Sequence, residues 1–298
     1  MTEKVMNKEM PKISEDNDKY EFTGECMTVE INGETHTLYR IRAKKDIIDK
    51  DGRIIARKGD RGGFIEKEDN LGYRSNAWVF GNAKVYGDAR VFGNAQVYGD
   101  AWVFGNAKVY DNANVYDNAA VYGDAKVCGN AKVFGNARVS GNAKVYDNAA
   151  VYSNAKVFGN ARVYDDARVY DDARVYDDAR VFGNAQVYGD AWVFGNALVY
   201  ENAKVFGNAW VYSNAKVFGN AWVYGNAWVH GNAQVFGNAR VFGNARVYDN
   251  AWISGDARVH INARVYGNAR VSGDADVTDI RSSGDITEGN YVKKAKRP

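Results

Sequence analysis

The chain has 298 residues, and its 39 Lys and Arg against 37 Asp and Glu leave a formal charge of +2, so whole-chain electrostatics favour no class of partner. Its 31 Gly against 2 Pro, with 13% aromatic residues, depart from ordinary globular usage and direct attention to repetition. No run approaches the roughly 18 apolar residues of a membrane span, and Cys26 and Cys128 have neither metal-ligand spacing nor the density of a disulfide scaffold. A soluble, reduced, cytoplasmic protein with no membrane partner is expected.

Residues 1–19 are polar and charged and are expected to be disordered. Residues 20–72 read as a small β-rich cap. Met27 to Ile31, Asn32-Gly33 and Thr35 to Ile41 form a hairpin pattern, and Ile47-Ile48 and Arg53 to Ala56 predict further short strands. Over 73–278 the chain becomes periodic. An aliphatic residue stands at every sixth position from Val79 to Val277, with Ile253 the only variant, giving 34 repeats without an insertion. Ala precedes each aliphatic by two residues, so the unit reads Ala, variable, Val, aromatic, and then two corner residues rich in Gly, Asn and Asp. Residues 279–298 finish in Lys293, Lys294, Lys296 and Arg297, a terminus expected to be solubilising.

A period of six fits no helix, and Val, Gly, Asn and Asp are poor helix formers. Strands remain, with Ala and Val on one side and the variable and aromatic residues on the other. An antiparallel meander of such short strands would bury little. Three six-residue sides closing into an eighteen-residue triangular coil bury Ala and Val in a narrow interior and place Gly and Asn at corners, where left-handed backbone angles are cheap for them.

This run resembles the hexapeptide-repeat left-handed β-helix family. Gly62-Gly63-Phe64-Ile65-Glu66, then Asn70-Leu71 and Trp78-Val79-Phe80-Gly81-Asn82-Ala83, resemble more narrowly the YdcK-like proteins of bacteria and their phages. The resemblance implies an all-β fold, a left-handed parallel β-helix of about eleven triangular coils behind a β-rich N-terminal cap. The handedness comes from the resemblance, because periodicity does not set it.

Residues eighteen apart should stack at about 4.8 Å, the inter-strand spacing. The aromatic position is Tyr or Phe in 27 of 34 repeats, so all three faces carry outward ring ladders. Those ladders would stiffen the rod, and their area makes protein binding or self-association an expectation. At the variable position, Arg90, Lys108, Lys126, Lys144, Arg162 and Arg180 form an unbroken basic column. Beside it stand Phe92, Tyr110, Tyr146, Tyr164 and Phe182, the mixture single-stranded nucleic-acid binders use. The quieter alternative, favoured by the balanced charge, lays each cation over a neighbouring ring and on to a corner Asp. On another face Trp192, Trp210 and Trp228 occupy consecutive rungs next to Phe194, Tyr212 and His230, a candidate flat aromatic platform or the residue of repeat duplication. The pairs Asp165-Asp166, Asp171-Asp172 and Asp177-Asp178 fall on three different corners and so do not converge on calcium; corners balanced by nearby Arg are expected, and no metal or cofactor.

Many hexapeptide-repeat proteins are acyltransferases, and the resemblance implies for them a His acting as general base between subunits of a trimer, often beside a loop thrown out of the helix. This chain has only His36, His230 and His260, and its repeats hold no excursion. A non-catalytic structural or interaction scaffold is therefore expected, with an acyltransferase-like trimer and a polyanion binder as the alternatives.

Overall fold

The computed structural model describes residues 10–31, 33–49, 51–279, 281–287 and 290–292. The basic terminus from Lys293 onward lies outside these residues, as does Asn32 of the expected turn. Every repeat contributes one short strand, from Trp78–Val79 to Asp276–Thr278, and up to Arg258–His260 each pairs in parallel with the strand eighteen residues on. Three sheets of 15, 11 and 13 strands result, which makes a three-sided parallel β-solenoid of about twelve turns. Among the described residues there is no α-helix, and no helix is long and apolar enough to cross a membrane.

The interior is uniform. The Ala at each sixth position from Ala77 to Ala275, and the Val or Ile at each sixth position from Val79 to Val277, is fully buried. Nothing larger than Ile is admitted at these positions, because three short sides enclose too little width for a longer chain. The first corner residue has positive φ throughout, +71° at Gly93 and +58° at Asp111 for example. A Cβ added to Gly93 would lie 2.8 Å from the Asp111 nitrogen, so glycine answers both to the backbone angle and to the next coil.

The second corner residue explains its own chemistry. The Asn94 amide donates to Asn112 Oδ1 at 3.0 Å, Asn112 to Asn130 at 3.2 Å, Asn130 to Asn148 at 3.0 Å, and Asn148 to Asp166 at 3.2 Å. Asp ends the ladder because a carboxylate accepts but has no N–H to pass on. The same termination occurs at Asp178, Asp256 and Asp279.

Strands precede the first coil. Strand β1 (Tyr20–Ile31) pairs antiparallel with β2 (Glu34–Ala43), and β3 (Ile47–Ile48) with β4 (Ile54–Ala56). Strand β5 (Arg61–Ile65) then links β2 to the first coil by pairing in parallel with Lys84–Val85. A Cβ on Gly62 or Gly63 would collide with Ile41 or with Val79 and Ala83, so these two glycines permit the close approach. Asn70 is fully buried and donates to the carbonyls of Gly87 and Ala89 at 3.0 and 2.8 Å, which fastens the cap to the coil.

One expectation needs correction. The amino-terminal segment was expected to be disordered through residue 19, yet Asn17 and Lys19 are buried. Lys19 Nζ donates to the carbonyls of Gly72 and Ala77 at 2.8 and 2.5 Å, and Ser14 and Asn17 bond the Glu68 carboxylate. Polar residues order here because the open end of the coil offers carbonyls that need donors.

Candidate functional site: two outward columns on the rod

The basic column has the expected register. Arg90, Lys108, Lys126, Lys144, Arg162 and Arg180 are paired rung by rung along the 11-stranded face, and Leu198 ends the run. Their partners differ from the expectation. Among the described residues none of the six has a carboxylate within 4.0 Å, and none lies over a ring; the ion pairs gather before residue 89, with His260–Asp276 the exception. The reason lies in what the acids do instead. Asp111 and Asp165 accept the Gly129 and Gly183 amides of the next coil at 3.2 and 3.0 Å. Asp124 and Asp178 accept side-chain amides from Asn106 and Asn160 at 3.0 and 3.1 Å, and Asp88 pairs with Lys67 at 2.6 Å.

The same finding corrects the account of the three Asp-Asp pairs. They do sit on separate corners, but Asp165, Asp171 and Asp177 are held by backbone N–H groups of Gly183, Gly189 and Gly195 rather than by Arg.

The ring ladder beside the basic column is interrupted once within that column. Phe92 and Tyr110 stack at 5.0 Å; Tyr146, Tyr164 and Phe182 stack at 4.9 Å per step; Cys128 stands between the two runs. Burial raises the Cys128 thiol above its ordinary value, with the Tyr110 hydroxyl pulling the other way, so it is a poor nucleophile.

On the 15-stranded face Trp192, Trp210 and Trp228 stack at 4.9 and 5.2 Å, and Phe194, Tyr212 and His230 stack beside them at 4.9 and 4.7 Å. All six expected platform residues are thus brought together. Their presentation differs from a flat platform, because the indole planes face one another along the rod and turn only their edges outward. The two end faces are covered as well: Arg174 lies 4.7 Å from Trp192 and Arg246 lies 4.5 Å from Trp228. Here the cation-over-ring arrangement expected for the basic column does occur. Burial lowers the pKa of His230, with Asp249 opposing and Arg246 reinforcing the effect.

A third feature has no signature in the repeat. Where the β1–β2 hairpin overhangs the first coils, a cleft of about 510 Å³ is lined by Glu34, His36, Tyr86, Phe104 and Tyr122. His36 Nδ1 lies 2.9 Å from Glu66 Oε1, and Glu66 Oε2 accepts the Gly87 N–H at 2.7 Å. The His36 ring also packs 5.0 Å from Tyr86, whose hydroxyl is buried without a hydrogen-bond partner. The carboxylate orients the imidazole, but no Ser or Cys joins the cleft lining to complete a nucleophile–base pair. Sequence spacing could not reveal this site, because its parts come from the aperiodic cap and from rungs 86, 104 and 122.

His260 Nε2 lies 2.5 Å from Asp276 Oδ1 and its ring stacks 4.5 Å from Phe242, so it continues the ladder on an outer face. No curated protein matches the chain. Residues 83–99, 155–171, 161–175, 173–189, 185–201, 215–231, 233–249 and 263–277 match the family model described as YdcK Beta solenoid repeat, so the chain is a β-solenoid carrying repeats of that kind.

Proposed function

We propose that the chain is a non-catalytic rigid scaffold of the hexapeptide-repeat kind, left-handed, of bacterial or phage origin and working in the cytoplasm. Its protein partner would dock on the 15-stranded face. The observation that carries this reading is the Trp192–Trp210–Trp228 stack, clamped between Arg174 and Arg246 on an otherwise regular rod. Edge-on indoles held in place lose little entropy on docking and suit an apolar protein surface better than a sugar, which needs an exposed ring face. The six-residue strand spacing, unbroken from Trp78 to Asp276, supports the scaffold role because no loop is thrown out along the rod's length.

A second copy of the chain is the first partner to test. Light scattering coupled to size exclusion across a hundredfold range of concentration should return a mass above the 33.0 kDa of the single chain. Trp210→Ser should bring it back to that value while Lys126→Glu should not. A single-chain mass at every concentration overturns docking through a second copy. Saturable acyl-CoA binding by a stable trimer would overturn the non-catalytic reading as well.

A further inference from the structure

The basic column and the break in its ring ladder belong to one surface, and together they select a ligand class. Six cations in register repel one another along the rod, at about 4.8 Å per rung. None of the six forms an ion pair with the carboxylates beside the column, since Asp111, Asp124, Asp165 and Asp178 are engaged by backbone or side-chain amides. A linear polyanion lying along the column would relieve the repulsion. By contrast, Arg174, Arg246 and Arg240 on the neighbouring faces rest on Trp rings and are already used.

The ladder break narrows the choice. At Cys128 one ring is missing, so Tyr110 and Tyr146 are separated by two rungs, about 9.6 Å. That is the separation at which one further planar ring completes the ladder, with stacking distances like the 4.9 Å between Tyr146 and Tyr164. Lys126 occupies the same rung as the vacancy, with Lys108 and Lys144 on either side. Sulfated polysaccharide and polyphosphate could use the cations but carry no planar ring, and an acidic peptide carries one only where it holds an aromatic residue; a polymer with a repeated charge and a planar ring on each unit uses the vacancy in any register.

We propose that the 11-stranded face is a track for single-stranded nucleic acid, with phosphates along Arg90, Lys108, Lys126, Lys144, Arg162 and Arg180 and one base inserted between Tyr110 and Tyr146. The inference does not rest on the Trp platform, which lies on a different face.

The test is fluorescence anisotropy of a labelled twenty-nucleotide oligothymidylate with the full chain, titrated at several salt concentrations. Binding should weaken steeply with salt, with a log–log slope of up to about −4 for six phosphate contacts. Lys126→Glu with Lys144→Glu should weaken it at least tenfold. Cys128→Tyr restores the residue type of most other rungs, so the fold tolerates it; it should weaken oligothymidylate at least about fivefold by filling the vacancy, while leaving the affinity for heparin unchanged. Trp210→Ser should leave oligothymidylate binding intact, which separates this inference from the scaffold reading. Any of these results would overturn the proposal: no binding at 50 mM salt, binding unaffected by the Lys-to-Glu pair, or Cys128→Tyr binding oligothymidylate as tightly as the parent. Heparin bound as tightly as oligothymidylate would overturn it in favour of a general polyanion track.

Discussion

The junction between cap and coil and the body of the rod are built on opposite plans. At the junction each contact is made once: Lys19 to the carbonyls of Gly72 and Ala77, the Tyr20 hydroxyl to those of Glu68 and Leu71, Asn17 to Glu68. In the rod a residue's partner is its counterpart eighteen positions on, so ring meets ring, amide meets amide, and Val meets Val. A rod of this kind is stabilised by the sum of nearest-neighbour terms and has many equivalent places to absorb a defect, whereas the junction has one set of contacts and no substitute. Its cost is visible at Lys19, which burial, together with the nearby Lys45 charge, pushes down to about 7.

Substitutions can break this comparison, beginning with the most severe. Val175→Asp places an unpaired carboxylate in the fully buried interior and should cost about 3–5 kcal/mol or neutralise its charge. Urea unfolding followed by circular dichroism should then show the single transition splitting in two as the rod parts on either side of rung 175. Lys19→Met leaves two carbonyls without their donor and should cost about 2–3 kcal/mol. Hydrogen exchange should quicken around residues 14–24 and 72–77 and stay slow in mid-rod; uniform quickening would mean that the junction nucleates the whole solenoid. Gly93→Ala should cost about 1–2 kcal/mol, since its left-handed φ and the nearby Asp111 nitrogen both oppose a Cβ. Asp111→Gly, one coil on, should lie within about 1 kcal/mol of the parent in calorimetry, because a lost carboxylate–amide bond is offset by relief at a positive φ.

The smallest effect concerns pH. The folded chain holds the His230 proton less readily than the unfolded chain, chiefly through burial. The unfolded state therefore binds more protons, and this histidine's contribution to stability is lost as pH falls through the ordinary value of 6.5. His230→Phe should flatten that part of the melting-temperature profile between pH 7.5 and 5.5; an unchanged slope would assign it to other groups.

Much of this molecule is legible in the sequence because one local rule is written 34 times. The six-residue period, the Ala and Val interior, the three-sided coil, the cap hairpin and the register of Arg90 with Arg180 and of Trp192 with Trp228 all follow from spacing, since strand pairing at eighteen residues converts sequence distance into spatial order. Choices among competing partners were decided by the tertiary structure. The corner Asp residues could have met Arg, but the coil brings the next turn's N–H and amide groups to them first, which leaves Lys126 and its neighbours unpaired. The indoles could have lain flat against the sheet, but stacking along the axis turns them edge-on. The His36–Glu66–Tyr86 cleft and the burial of Lys19 were invisible beforehand, because they join an aperiodic cap to the first coil and depend on where one folded unit ends and the other begins.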